Sequence, residues 1–408
     1  MEPPPLRIRL VNLFFGAETA PTGALAESLA CELERCGCDV EVHTGTAEYL
    51  SSTSPERSPF RGRVRYISSG RRPTDSVRGR LRTWLRFYCG AAWRAWCDPA
   101  PDIVVAMTTP PFLHAIYVLV NRLRGRPTRI VVWNQDTFPE ILAAAGLLRR
   151  DSALHHRLLT VQRWSLAGTW RVVALDHAMA ERLRELGARD VRVIPNWATH
   201  DASEEVESLP TEWADRMARI RREFRWCVLY SGNYGWGHRL ESVGTYLRTH
   251  AEQRDFYFLC VGGGERWPQL VDLERETSGR AIGVHPYVPR SVYRQLLQAV
   301  DFGLIALERE CSGLMSPSKL HSYLSAGKPV LYLGPPESNV GEAIAEFGCG
   351  VRIDEIDPAA FAVALDDIAN GRVDVERIGE GARRAAVERY SAAAGLREWR
   401  RFLGIGEV

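Results

Sequence analysis

Short apolar runs rich in β-branched and aromatic residues recur along the chain, separated by stretches whose apolar positions follow helical spacing. RIRLVNLFF (7–15), DVEVHT (39–44), DIVVAM (102–107), RIVVWN (129–134), RVVAL (171–175) and VRVIP (191–195) read as strands. GALAESLACELERCG (23–37) reads as one of the amphipathic helices between them. The pattern then restarts with WCVLYSG (226–232), DFYFLCVGGG (255–264), DFGLIAL (301–307) and KPVLYLG (328–334). The break falls in the polar, acidic stretch NWATHDASEEVESLP (196–210). Strand–helix alternation predicts parallel sheets covered on both faces. The expected fold is α/β, with two Rossmann-like domains facing a central cleft. Expected boundaries are 1–198, 199–385 and a terminal helix, 386–408, returning toward the first domain.

Composition narrows the function. The 408 residues carry 52 basic and 50 acidic side chains, a formal charge of +2, which disfavours nucleic acid as the main partner. Only Lys319 and Lys328 are lysines; the other basic residues are arginines. Nine scattered cysteines show no paired CxxC framework and read as reduced thiols, and no structural metal is expected. No apolar run approaches the roughly 20 residues of a membrane span. The N-terminal MEPPPLRIRL lacks the long apolar region of a secretory signal, so a cytoplasmic location is expected.

Ligands of parallel sheets bind beyond the carboxyl ends of the strands. After the first strand, Thr22 and Gly23 read equally as a capped helix start and as an anion site. Asn134, Gln135 and Asp136 end the strand at 129–134, where a capping aspartate competes with a substrate contact. His114, after the TTPPF loop, reads as structural. In YSGNYGWGHRLESV, Gly232, Gly235 and Gly237 permit close backbone approach, and Asn233 and His238 precede a helix. VGGGERW (261–267) is a second glycine turn. Neither GxGxxG after the first strand nor GxxxxGK[ST] is present.

In SPSKLHSYLSAGKPV (316–330), Ser316 reads as a cap, Pro317 as a first-turn residue, and Ser318 and Lys319 as first-turn groups. A lysine there is unfavourable for the helix alone, which favours an anionic ligand such as phosphate. Lys328 reads as a charge at the helix C-terminus.

Taken together, PTGALAESLA, the PP pair at 110–111, QDTFPE, IPNW, SGNYG, VGGGERWPQL, PSKLHSYLSAGKPV and PPESNVGEAI give the chain a resemblance. It resembles retaining GT-B glycosyltransferases of family 4, of the bacterial capsule, O-antigen and colanic-acid type, over about residues 7–400. The resemblance implies sugar transfer from a nucleotide diphosphate, a UDP- or GDP-sugar, to an acceptor hydroxyl. Donor contacts fall on Gly23, Gly232, Asn233, His238, Gly263, Tyr287, Val288, Met315, Ser316, Ser318, Lys319 and Ser338. Catalytic or acceptor-side roles fall on Lys319, Asp136 and Gln135.

Two family features are missing. Asn233 and His238 stand where many members have Arg and Lys, and Leu314 and Ser322 stand in place of a glutamate pair. Phosphate neutralisation is then expected to lean on Lys319, backbone amides, and His238 or a nearby arginine. Glu308 and Glu310 could reach a sugar hydroxyl. A metal-independent hexosyltransferase with no cofactor beyond the nucleotide sugar is expected. A nucleotide-sugar 2-epimerase and a non-catalytic nucleotide-binding assembly protein remain as alternatives.

RGRLRTWLRFYCGAAWRAW (78–96) reads as a helix with Leu81, Trp84, Leu85, Tyr88, Ala92 and Trp96 on one face, flanked by Arg78, Arg82 and Arg86. It fits a core-packing helix or a peripheral contact with an anionic membrane. The membrane reading goes with a lipid-linked acceptor and work at the inner membrane face. The core reading goes with a soluble acceptor such as a natural-product aglycone.

Overall fold

The structure is a computed structural model, and it describes residues 4–16, 20–46, 58–69, 77–199, 208–357 and 359–406. Most of the acidic stretch read as the break, 200–207, lies outside the described residues. The chain divides into two units. Unit 1 comprises Met1–Thr199, Gly313–Ser316 and Ala392–Val408; unit 2 comprises His200–Ser312 and Pro317–Ser391.

Unit 1 holds β1 (Arg7–Asn12), β2 (Asp39–Gly45), β3 (Arg63–Ile67), β4 (Ile103–Met107), β5 (Arg129–Trp133), β6 (Arg171–Ala174) and β7 (Val191–Val193). They pair in parallel in the order β3-β2-β1-β4-β5-β6-β7. The order reverses between β1 and β4, so the loops after these strands diverge there and leave room for a ligand. Every residue of β4 is buried, as a central strand covered on both faces requires.

Unit 2 holds β8 (Trp226–Asn233), β9 (Phe256–Gly263), β10 (Ile282–Pro286), β11 (Phe302–Ala306), β12 (Val330–Leu333) and β13 (Gly350–Ile353). Their order, β10-β9-β8-β11-β12-β13, reverses between β8 and β11. Both units are parallel-sheet α/β structures of Rossmann-like topology.

Three strands differ from the sequence reading, which passed over β3, β10 and β13. All three are edge strands. β3 and β13 carry few fully buried positions, so their apolar signal is weak. The first helix, α1 (Pro21–Arg35), begins two residues early, with Pro21 in its first turn and Ala20 at the cap. Thr22 is therefore a helical residue rather than the cap.

α2 (Val77–Cys97) and α3 (Leu113–Arg124) pack together and contribute to the apolar cluster on one face of the unit 1 sheet. The face of α2 turned inward carries Thr83, Phe87, Ala91 and Ala95. Of the face assigned from sequence, Trp84 and Tyr88 are half-buried beside this cluster, whereas Leu81, Leu85 and Trp96 are exposed. The correction follows from spacing. Phe87, Ala91 and Ala95 form an i, i+4 row that the small alanines made inconspicuous.

The C-terminal helix Ala392–Leu403 belongs to unit 1 and seals its sheet. Trp399 packs against Trp133 with ring centroids 4.8 Å apart, and Trp133 stacks on Trp197 at 5.6 Å. A side chain on Gly395 would lie 2.3 Å from the Trp197 ring, so glycine is what lets this helix approach. Trp399 is fully buried. Trp399→Ala should destabilise unit 1 by about 3–5 kcal/mol, read as a lowered first transition in urea, with the unit 2 transition unmoved.

Candidate functional site

The order reversal of unit 2 places β8 and β11 at the ligand-binding end of the sheet. β8 and β9 stay in register to their last residues, with Gly232 opposite Gly262 and Asn233 opposite Gly263. Gly232 has φ +93° and Gly262 φ +157°. A Cβ on Gly262 would sit 2.0 Å from the Gly232 carbonyl oxygen, and one on Gly264 would sit 2.4 Å from Asn233 Oδ1. No side chain fits at either point, so the glycine turn is a requirement of this crossing. The sequence reading named Gly263 here; the backbone conformations that demand glycine belong to its two neighbours.

Lys319 lies over this crossing. Its Nζ is 4.7 Å from the Tyr230 ring centroid and donates to the Asn233 carbonyl oxygen at 3.4 Å. Its Cε is 3.7 Å from where a Gly232 Cβ would be. Among the described residues Lys319 has no carboxylate partner. Burial pushes its ammonium pKa down to about 7. A half-buried amine without a carboxylate partner is poised to receive an anion.

The helix that begins at Lys319 is short, Lys319–Ser325. Ser318 occupies its cap position without a capping side-chain bond, and Ser316 Oγ is buried without a hydrogen-bond partner. Ser316 is therefore not the cap read from the sequence. Two turns give little macrodipole, so the anion preference rests on the lysine itself. Tyr323 fixes the helix in place. Its hydroxyl donates to the Leu229 carbonyl at 2.9 Å and accepts from the Ser231 amide at 3.1 Å. A Cβ on Gly303 would meet its ring at 2.2 Å.

The other candidates separate in unit 2. His238 is buried, its Nδ1–H donating to the Ala306 carbonyl at 2.5 Å. Burial first, then the nearby Lys319, hold its pKa down to about 3, so it is neutral and cannot replace a phosphate-binding cation. Glu308 accepts from Arg239 at 2.9 Å and lies 3.4 Å from Arg266, so its carboxylate is already engaged. Tyr287 is exposed just past β10, its ring against Gly263, and Val288 beside it is half-buried. Ser338 caps the helix Asn339–Phe347; its Oγ accepts from Gly341 N and bonds Tyr332 and Pro335. That hydroxyl is spent on structure. Lys328 donates to the Gln298 carbonyl at 2.8 Å, at the end of the helix Arg290–Ala299, rather than serving its own helix.

Unit 1 gathers a second set at its strand ends. Thr108 Oγ1 accepts from the amides of Gln135 at 3.0 Å and Asp136 at 3.2 Å. Asn196 donates to Gln135 Oε1 at 2.8 Å and Gln135 returns the bond at 3.4 Å, so this amide pair satisfies itself. Asp136 is different. Its backbone bridges Met315, while burial pushes its carboxyl up to about 6. Thr137 N donates to the Leu314 carbonyl at 2.8 Å, fixing the segment Gly313–Ser316 within this unit. Met315 and Ser316 thus group with Asp136 in unit 1. Gly23 is buried in the first turn of α1, its amide bonded to the Ala20 carbonyl at 2.9 Å. His114 is buried against Ser165 Oγ at 2.9 Å and kept neutral, its pKa held near 4 by burial, in keeping with a structural role. Among the described residues no group of three or more His, Cys, Asp or Glu side chains could hold a metal ion.

Residues 22–197 match the family model described as glycosyl transferase 4-like domain. A probable glycosyltransferase of Pseudomonas aeruginosa, WbjE, is 24% identical over 300 residues, covering 73% of each chain. Residues 22–197 therefore form a glycosyl transferase 4-like domain, and the chain is a glycosyltransferase with the GT-B fold. The fold of this glycosyltransferase is shared with several solved structures. The trehalose-6-phosphate structure from E. coli bound with UDP-2-fluoro glucose superposes with TM-score 0.70 at 13% identity, covering 97% of this chain and 98% of that one. Anabaena Alr3699/HepE in complex with UDP and glucose superposes with TM-score 0.66 at 14% identity, covering 98% and 99%.

Tyr230 escaped the sequence reading of this glycosyltransferase, and within the glycine turn 261–267 that reading singled out Gly263 rather than Gly262 and Gly264. Tyr230 lies inside an apolar strand, where nothing in the sequence marks it as the shelf for a lysine 89 positions away. Gly262→Ala should push the Gly232 carbonyl aside and cut glycosyl transfer by about 100-fold or more, the equivalent of ~3 kcal/mol in the barrier. Circular dichroism should show the fold retained.

Proposed function

We propose that the chain transfers a hexosyl group from a nucleoside-diphosphate sugar, a UDP- or GDP-sugar, to a hydroxyl of a lipid-linked sugar, with retention and without a metal ion. The observation that carries the reading is the amine of Lys319, half-buried, without a carboxylate among the described residues, and set at the strand ends of unit 2. A compact ammonium suits a diphosphate. The UDP and UDP-sugar complexes of the fold relatives support a nucleotide donor. The cytoplasm, beside the inner membrane face, is the proposed place of work.

In the reaction, the bond from the sugar anomeric carbon to the diphosphate oxygen breaks, and the bond to the acceptor oxygen forms. The acceptor proton passes to the leaving diphosphate. Negative charge grows on that diphosphate in the transition state, so Lys319 binds the transition state better than the ground state. Ser318 and the amides beside Gly232 and Asn233 supply further donors. Tyr287, exposed past β10, offers its ring face to the base. Asp136 orients the acceptor hydroxyl.

Lys319→Ala should lower kcat by about 10³-fold, or ~4 kcal/mol, with the melting temperature unchanged or raised. Wild-type kcat in that variant contradicts the reading. EDTA should leave the rate unchanged.

The pH dependence follows from the two shifted groups. The Asp136 pKa is raised to about 6, so the carboxylate is lost as pH falls through that value. The Lys319 pKa is lowered to about 7, so the charge that meets the diphosphate is lost as pH rises through it. A plot of kcat/KM against pH should be a narrow bell with limbs near these values. Bound donor stabilises the ammonium, so the basic limb of kcat should lie higher than that of kcat/KM. Asp136→Asn should abolish the acid limb.

A further inference from the structure

The outward side of α2 has no partner among the described residues, yet it is apolar. Leu81, Leu85, Trp93 and Trp96 are exposed by 54%, 63%, 68% and 41%, and they recur at helical spacing. α3, packed beside α2, adds Leu119 and Leu123, exposed by 47% and 65%. The guanidinium of Arg124 lies 4.9 Å from the Trp96 ring centroid, joining the two helices where both end. Arg126 donates to the carbonyls of Ala95 at 2.6 Å and Trp96 at 2.9 Å, so the end of α2 is fixed.

Charge is just as one-sided. α2 carries five arginines and α3 two, and neither helix contains an Asp or Glu. Arg94 has Asp98 at 3.6 Å, and Arg122 lies over Trp164. Arg78, Arg80, Arg82 and Arg86 are exposed and have no acidic partner among the described residues. By helical spacing Arg78, Arg82 and Arg86 fall on the same outer side as Leu81, Leu85, Trp93 and Trp96, whereas Arg80 stands on the row of Phe87 at the exposed start of the helix.

We infer that the outer side of α2 and α3 docks on the surface of an anionic lipid bilayer, with the leucines and tryptophans in the headgroup and acyl boundary and the arginines on lipid phosphates. Tryptophan prefers this boundary, where its ring is apolar and its N–H wet. Arginine stems lie along apolar surface while their guanidinium groups reach the phosphates. The inner row of Phe87, Ala91 and Ala95 holds the helix on its sheet, so docking needs no unfolding. A second copy is a poor occupant, because pairing the same face would bring the unpaired arginines of both together. The inference goes beyond the reaction proposed above by naming the partner surface, and its test needs neither donor nor acceptor.

The test is co-sedimentation of the full chain with vesicles of phosphatidylcholine alone or with phosphatidylglycerol added, over a salt series. Binding should require the anionic lipid and weaken as salt rises. Arg78→Glu/Arg82→Glu/Arg86→Glu should weaken it by about 100-fold or more, since each interfacial arginine contributes roughly a factor of five. Leu85→Asp/Trp93→Asp, with the arginines intact, should also weaken it. Both variants should keep the wild-type melting temperature and the wild-type affinity for UDP or GDP. Equal binding to neutral vesicles, no binding to either, or a dimer broken by Leu85→Asp/Trp93→Asp without vesicle binding would overturn the inference.

Discussion

Lys319 is half-buried, and among the described residues an aromatic ring and a carbonyl oxygen, with no carboxylate, meet its charge. A ring face and one weak hydrogen bond replace only part of the hydration of an ammonium. The lysine stays because its helix is fixed from beneath. Tyr323 is seated on Gly303 and bonded to Leu229 and Ser231, and the helix follows it. The close crossing of Gly232 and Gly262 then brings backbone, rather than side chains, up to the amine. The proposed anion site is one charge beside a bare strand end, and it costs folding energy until an anion arrives.

Much of this was readable from the chain. The alternation of strand and helix predicted two parallel sheets, and all ten strands read from the sequence are present, eight of them shorter and β2 and β8 one residue longer. The edge strands β3, β10 and β13 escaped, because strands exposed on one side lack the dense apolar run that marks β4 or β11. Lys319 stood out in a chain otherwise using arginine, and the structure gives it an isolated position. What the sequence could not show was which groups were already occupied. Gln135 is spent on Asn196 and Glu308 on Arg239, partners distant in the chain, while Ser338 caps the helix that directly follows it, a local signal that the sequence reading passed over. His238 looked like a stand-in for a cation, and its burial against Ala306 makes it neutral.

α2 shows how one segment can carry two apolar rows. Reading a single amphipathic face from 78–96 merged them, since helical spacing alone does not say which row meets the sheet. Packing separates the two. The row of small residues and Phe87 turns inward, and Leu81, Leu85, Trp93 and Trp96 turn outward among arginines that have no acidic partner among the described residues. Core packing and surface attraction are therefore not competing readings of this helix, because each uses a different side.

The scarcity of lysine makes the central claim directly measurable. A chain labelled with isotope at the lysine side chains should give two ε-methylene signals by NMR, one each from Lys319 and Lys328. The Lys319 signal should titrate near 7 in the free protein and at a distinctly higher pH once UDP or GDP is bound, while the Lys328 signal ignores the nucleotide. A Lys319 signal that titrates near 10, or one that neither nucleotide moves, would contradict the account.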